Sequence, residues 1–301
     1  MKNQISRRKF LQASAVAGSA AVVPAFAVSC VNEQKQDKGI TLNNNPLKIG
    51  LMTYLLGRDW DIETIIKNCT EAAFQSVELR TTHAHGVEVT LTPAQRAEVK
   101  KRFEDSPLET ISLASAFQYH YADPGELRKS IEGTKEYILL ARDVGATGIR
   151  VFPNAFPEGV DKEKTMEQIG KALAEVSNYA SDYNVEIRVC VHGQGTSSVP
   201  VIKKIIDYSK SPNVFVNWNC DPTDPEGEGL VYNFNSIKDR IKGVHMHDLH
   251  DPAYPYRHFF KLLSEMGYKG YCNAEVGRVS CEPIEFMKCY RGLFLALQNA
   301  I

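Results

Sequence analysis

Apolar and polar residues alternate most clearly in one segment of the chain, Val185–His192. Its odd positions are all β-branched aliphatic residues, and its even positions are Glu186, Arg188, Cys190 and His192. A period of two indicates a β-strand with two different faces. We therefore predict a strand that packs against helices on its odd face and lines the polar interior of a closed barrel on its even face.

Seven further strand patterns and eight helical patterns alternate along the chain. The other predicted strands lie at 47–53, 76–80, 109–115, 147–153, 213–219, 242–247 and 270–276. The predicted helices begin at 61, 92, 124, 163, 197, 233, 256 and 283. Eight such units in about 250 residues are typical of a (β/α)₈ barrel. The segment after the first strand, Tyr54–Arg58, lacks the glycine-rich turn of a doubly wound sheet, so we predict a single TIM-barrel domain over residues 47–301.

The residues before the barrel resemble an export signal. Ser6–Gln12 contains a twin-arginine motif, and the small apolar residues of Ala13–Val23 follow it before Pro24. We predict that residues 1–29 are a twin-arginine export signal and that the polar residues 30–46 form a disordered tether.

Two processing routes remain open for this signal. Cleavage after Ala27 would release the protein into the periplasm. Ala27–Cys30 is also an imperfect lipobox, in which case Cys30 would carry a lipid anchor at the membrane.

Composition excludes several classes of protein. A net charge of −1 gives no electrostatic support for nucleic-acid binding. No apolar stretch beyond the N-terminus approaches the roughly 20 residues of a membrane-spanning helix. The seven cysteines are scattered without a CxxC pair, so we predict neither a zinc ribbon nor a disulfide framework. A bond between Cys190 and Cys220 is conceivable in an exported protein, but strand alternation argues against it.

Polar side chains occupy the inward positions of the predicted strands, and catalytic residues of such barrels lie at the carboxyl ends of the strands. Buried charges must be paired or bound to a ligand. Either the glutamates only neutralise the arginines, or the donors bind a polyol, a carboxylate or a phosphate. The residues that we predict to bind substrate are Glu78, Arg80, His83, His85, Arg150, Asn154, Arg188, Asn217 and His247. His245 and Glu275, at the ends of adjacent strands, suit a divalent metal ion.

Four segments resemble the xylose isomerase-like barrel superfamily of sugar phosphate isomerases and epimerases, and the likeness covers nearly all of residues 47–298. They are Ser76–Arg80, Ile187–Gly193, Val244–Asp248 and Asn273–Glu275. The resemblance implies a divalent ion held by Glu, Asp, His and Glu from the last four barrel strands, with proton transfer at a sugar carbon by the two glutamates. It also implies a homodimer.

By position, the four metal ligands would be Cys190, Asn219, His245 and Glu275, of which only the last two match. Cys190 cannot act as a carboxylate for Mg²⁺ or Mn²⁺, and Asn219 lacks the charge of an aspartate. Three alternatives stay open. Zinc could bind through Cys190, other ligands could come from His192, His247, Asp248 or Asp221, or the site could have lost its metal and kept sugar binding.

We therefore predict an exported isomerase- or epimerase-like protein that acts on a carbohydrate or sugar acid by proton transfer next to a carbonyl. Glu275 and His192 are the predicted catalytic residues, and His245 is a metal ligand or an electrophile. The alternatives are a lyase or hydrolase of oxidised glycosides and a non-enzymatic carbohydrate-binding lipoprotein. Nucleic-acid cleavage would need a metal cluster and a basic face, and neither is visible in the sequence.

Overall fold

The computed structural model describes residues 43–300. The predicted export signal, Cys30 and the tether up to residue 42 lie outside the described residues. The end of the predicted tether contacts the C-terminal segment, because the backbone N–H of Asn43 donates to the carbonyl of Asn299 at 2.7 Å. No helix among the described residues is long and apolar enough to cross a membrane.

Eight parallel strands close into a barrel, which confirms the predicted (β/α)₈ fold. The barrel strands are β1 (Lys48–Met52), β2 (Ser76–Arg80), β3 (Thr110–Gln118), β4 (Gly148–Phe152), β6 (Glu186–Cys190), β8 (Val214–Trp218), β9 (Ile241–Met246) and β10 (Tyr271–Ala274). They pair in that order, and β10 pairs with β1. Two short strands, β5 (Asn154–Ala155) and β7 (Gly193–Gln194), pair with each other beyond the carboxyl ends of β4 and β6.

Within the described residues, each of the eight barrel strands is followed by an α-helix. The helices are α1 (Ile62–Glu71), α2 (Pro93–Glu104), α3 (Pro124–Val144), α4 (Lys162–Ser181), α5 (Val199–Ser209), α6 (Leu230–Ile237), α7 (Tyr256–Glu265) and α8 (Pro283–Leu297). Their ends follow capping chemistry. Thr92 and Gln95 form a reciprocal capping box at the start of α2. Helix α3 ends at Gly145, whose φ of 77° is the left-handed conformation that favours glycine.

The two faces of β6 behave as the alternation predicts. Ile187 and Val189 are buried in the hydrophobic core shared with the helices. Cys190 lies on the opposite, inward face, in contact with polar side chains of β8 and the loop after it. Alternation therefore separates a hydrophobic layer outside the barrel from a polar interior. The six described cysteines have free thiols, so Cys190 and Cys220 form no disulfide.

Candidate active site at the carboxyl end of the barrel

His245 lies between two carboxylates at the centre of the barrel. Its Nε2 is 3.0 Å from Oε1 of Glu78, and its Nδ1 is 3.1 Å from Oε2 of Glu275. Glu78 and His245 are almost completely buried, whereas the Glu275 side chain is 16% exposed. Only Glu275 of the three can therefore meet a ligand directly, and Glu78 holds His245 from below. This corrects the prediction that Glu78 binds substrate.

The two carboxylates determine the charge of His245. Burial lowers the pKa of His245, but Glu78 and Glu275 outweigh it and raise that pKa well above its usual value. Burial raises the pKa of Glu275, but His245 and then Arg150 counteract it and bring that pKa to about 2. At neutral pH, His245 is therefore an imidazolium between two carboxylates.

Neutral groups surround this ion pair on the β6 and β8 side. Sγ of Cys190 lies 3.6 Å from both Oδ1 of Asn219 and Nδ2 of Asn217. Asn217 is fully buried inside the barrel, and its contact with a substrate stays a prediction. The ring of His247 bridges the ends of two strands, with Nε2 2.8 Å from the carbonyl oxygen of Asn219 and Nδ1 3.3 Å from that of Glu275. The structure therefore gives His247 a role in fixing the backbone around the site.

Cationic and aromatic groups face the ion pair from β4 and β6. The guanidinium carbon of Arg150 lies 3.9 Å from the centroid of the Phe152 ring, and its Nη1 donates to the carbonyl of Ser115 at 2.8 Å. His192 packs on the same phenyl ring, with the ring centroids 4.7 Å apart. Burial, and then Arg150, lowers the pKa of His192. Phe152 thus positions two polar groups beside Glu275.

Phe152 was not predicted as a site residue. It has the same strand parity as Arg150 and Asn154, which the alternation does place inside the barrel. That parity was the available signal, but an aromatic residue at a strand end is also typical of a packed core. Asn154 itself donates to Oε1 of Gln118 at 2.9 Å and has a φ of 78°. This strained conformation for a non-glycine residue is of the kind found at functional sites.

The loop after β2 contributes two histidines with different environments. Both ring nitrogens of His85 bond to the backbone of its own loop, Nε2 to the carbonyl of Arg80 at 2.8 Å and Nδ1 from the N–H of Val87 at 3.1 Å. His85 therefore stabilises the loop and offers no nitrogen to a substrate, which corrects its predicted role. Nδ1 of His83 has no hydrogen-bond partner among the described residues. Burial, followed by the neighbouring His85 and Arg80, lowers the pKa of His83 to about 4.

Arg188 does not join this cluster. Its Nε donates to Oε2 of Glu186 at 2.9 Å, and its Nη2 lies 3.2 Å from Oγ1 of Thr147. Both partners lie at the amino ends of their strands, so the guanidinium points away from the carboxyl end. The prediction that Arg188 orients a substrate there is wrong, because its nearest carboxylate on the same face of β6 precedes it in the strand.

The four positions that the resemblance assigns to a metal do not fit Mg²⁺ or Mn²⁺. They supply a thiol, an amide, a carboxylate and an imidazole, whereas these ions prefer oxygen ligands with negative charge. Both nitrogens of His245 already face carboxylates, and an imidazolium has no lone pair for a metal. In residues 43–300, no three His, Cys, Asp or Glu side chains are arranged to hold a metal ion. Zinc would require His245 to lose its proton.

A closed barrel with a polar cluster at the carboxyl ends of its strands defines a TIM-barrel protein whose site lies at the usual end. The xylose isomerase-like TIM barrel family model matches residues 66–288. The chain therefore belongs to that family, as its sequence segments predicted. Among curated proteins, no sequence is significantly similar to the chain.

Solved structures with the same fold include enzymes of sugar metabolism. An L-ribulose 3-epimerase is 15% identical with a TM-score of 0.69, and the alignment covers 83% of this chain and 95% of that one. A 3-keto-D-glucoside 4-epimerase from E. coli is 12% identical with a TM-score of 0.70, covering 83% and 99%. An IolI protein with a bound zinc atom is 14% identical with a TM-score of 0.70, covering 83% and 98%. Identities this low establish the shared fold alone.

Proposed function

We propose that the protein is an isomerase- or epimerase-like enzyme that moves a proton next to the carbonyl group of a carbohydrate or sugar acid. The observation that carries the proposal is the buried chain of Glu78, His245 and Glu275, which leaves one carboxylate at the mouth of the site. A fixed carboxylate with a single accessible position is what a general base requires.

The low pKa of Glu275 determines how this chemistry would work. A carboxylate with a pKa of about 2 is ionised at any physiological pH, but it is a weak base. Proton abstraction from carbon then depends on stabilising the enolate that forms. The imidazolium of His245 and the guanidinium of Arg150 supply positive charge beside Glu275, and prearranged charge of this kind is a major source of rate acceleration. Arg80 and His192 would orient hydroxyls around the reacting carbon.

The proposed reaction uses the residues of this chain alone. Metal ions usually stabilise the enolate by polarising a carbonyl. Here the cationic ring of His245 occupies the position that the resemblance assigns to a metal ligand, and Cys190 and Asn219 remove the negative charge that would attract an ion. Because both nitrogens of His245 face carboxylates, we propose that its charge acts on the substrate only through Glu275.

The substrate class follows from the donors in the site and from the enzymes that share the fold. Arginine, histidine and amide groups suit hydroxyl-rich ligands with a carbonyl or carboxylate. The similar structures include epimerases of L-ribulose and of a 3-keto-D-glucoside. We therefore propose ketoses and oxidised glycosides as the substrates to test first. Export of the enzyme by the twin-arginine route, with the periplasm as its location, stays a prediction that rests on the arginine pair of the N-terminus.

The test incubates the full chain with a panel of ketoses and 3-keto-glucosides and measures the products by chromatography. We expect an epimer or isomer from at least one substrate, and loss of turnover in Glu275→Gln. The matched control is Glu285→Gln, which makes the same change at an exposed position paired with Lys288.

Two results would contradict the proposal. Equal turnover by Glu275→Gln and the wild type would show that Glu275 is not the general base. Sugar binding without turnover of any panel member would instead support a carbohydrate-binding protein with a degenerate site.

A further inference from the structure

A second polar cavity lies at the amino end of the barrel, opposite the candidate active site. It has a volume of about 270 Å³ and is bordered by the first residues of several strands. The residues that matter for its chemistry are Thr110, Thr147, Glu186, Arg188, Lys242 and Lys269. We call it the amino-end cavity.

The side chains that line the amino-end cavity carry more positive than negative charge. Three cationic side chains border it, and the carboxylate of Glu186 is shared by two of them. Oε2 of Glu186 accepts from Nη2 of Arg188 at 2.6 Å, and Oε1 lies 3.5 Å from Nζ of Lys242. Lys269 forms no ion pair within residues 43–300. The unbalanced charge favours an anion.

Arg188 is the most constrained of these cations. Its side chain is 10% exposed, and Nε and Nη2 are engaged by Glu186 and Thr147. Nη1 donates to no residue in the described part of the chain. A guanidinium held by two of its nitrogens presents its remaining donors in a fixed direction, which suits an oxyanion. Because Glu186 already pairs with two nitrogens of Arg188, an anion would engage Nη1.

Glycines at inward positions leave space inside the barrel at its amino end. A Cβ on Gly148 would lie 2.9 Å from Nε of Arg188, and one on Gly243 would lie 2.3 Å from Oδ1 of Asn217. A Cβ on Gly50 would meet Oδ1 of Asn273 at 2.1 Å. Bulky branched side chains usually fill this layer of a TIM barrel. Glycines at these inward positions instead make room for polar side chains and for the cavity beside them.

We propose that the amino-end cavity binds a small oxyanion, either a phosphate group or a carboxylate. Arg188 and Lys242 would contact the anion, with Lys269 at the rim and the hydroxyls of Thr110 and Thr147 as further donors. A phosphate group and a carboxylate both present negatively charged oxygens that a fixed guanidinium can bind. The amino-end cavity is separate from the proposed sugar site, so each of the two proposals can be refuted without affecting the other.

The experiment is calorimetric titration of the full chain with inorganic phosphate, and separately with acetate, in a chloride buffer of low ionic strength. We expect one phosphate or acetate per chain. Replacing both exposed lysines in Lys242→Gln/Lys269→Gln should weaken binding by roughly tenfold or more, because both contacts with the anion lose their positive charge. Tighter binding of phosphate would identify a phosphate group, and comparable binding of acetate a carboxylate.

Control variants distinguish a built site from general attraction to positive charge. Lys261→Gln removes one exposed lysine of α7 and should leave binding unchanged. Glu186→Gln/Arg188→Gln removes both charges of the ion pair together, which avoids leaving one charge alone, and should abolish binding while the circular dichroism spectrum stays that of the wild type. Absence of binding by the wild type at millimolar anion, or equal weakening by Lys261→Gln, would overturn the proposal.

Discussion

Replacement of Glu78 by glutamine tests the buried ion pair most sharply. The carboxylate lies 3.0 Å from Nε2 of His245 and accepts from Nδ2 of Asn273 at 3.1 Å. Glu78→Gln removes the charge and keeps the volume, so His245 retains only Glu275 as a counterion. Removing one partner of a buried pair costs about 3–5 kcal/mol. Because the amide still offers an acceptor to His245, we expect the free energy of unfolding to fall by about 3 kcal/mol.

This loss should depend on pH in a defined direction. The pKa of His245 is raised well above its ordinary value of 6.5, since the carboxylates outweigh burial. A raised pKa in the folded state adds stability that is fully present below the unfolded pKa and is lost as the pH rises through the folded pKa. Glu78→Gln lowers the folded pKa. The difference between wild type and variant should therefore be largest near about pH 6 and shrink as the pH rises through the folded pKa of His245.

The assay is urea unfolding, followed by tryptophan fluorescence, at a series of pH values from about pH 6 upward. Glu265→Gln is the matched control, because Glu265 makes only an exposed pair with Lys261 on α7. Such pairs contribute about 0–1 kcal/mol. A loss in Glu78→Gln no larger than that of the control near pH 6, or a difference that grows with pH, would refute the reasoning.

The remaining predictions concern metal, backbone and protonation. Protein purified without chelator should contain no stoichiometric Mg²⁺ or Mn²⁺, because the donors beside His245 do not suit them; a bound ion by elemental analysis, with activity lost to chelator, would contradict this. Gly145→Ala should lower the free energy of unfolding by about 1 kcal/mol, since a Cβ is strained at φ 77°, and an unchanged urea midpoint would be inconsistent with that. The ring of His83 should titrate near pH 4 by NMR, because burial lowers its pKa, and a midpoint near 6.5 would place it in water.

Most of the fold could be predicted from local patterns. The alternation in β6 is a property of five successive residues, so it can be recognised without knowledge of the rest of the chain. Local patterns locate a helix boundary less precisely where the helix has no side-chain cap. Helix α6 begins at Leu230, three residues before its predicted start at 233, because Gly229, with a φ of 90°, provides a turn without a side-chain cap.

The site was predictable in its parts and not in its arrangement. Strand parity places Glu78 and His245 inside the barrel, but parity cannot show that their side chains meet, because that depends on how far each strand is shifted along the axis. For the same reason it cannot show which way a long side chain leans. Arg188 has the correct parity and reaches the amino end, where Glu186 attracts it.

The most direct test of the account is exchange of the proton beside the carbonyl. The wild-type protein is incubated with a ketose in deuterated water, and loss of the signal of that C–H is followed by proton NMR. The account predicts exchange catalysed by the wild type, with and without chelator, and none above background with Glu275→Gln. Exchange that persists in Glu275→Gln, or that appears only when a divalent ion is added, would contradict it.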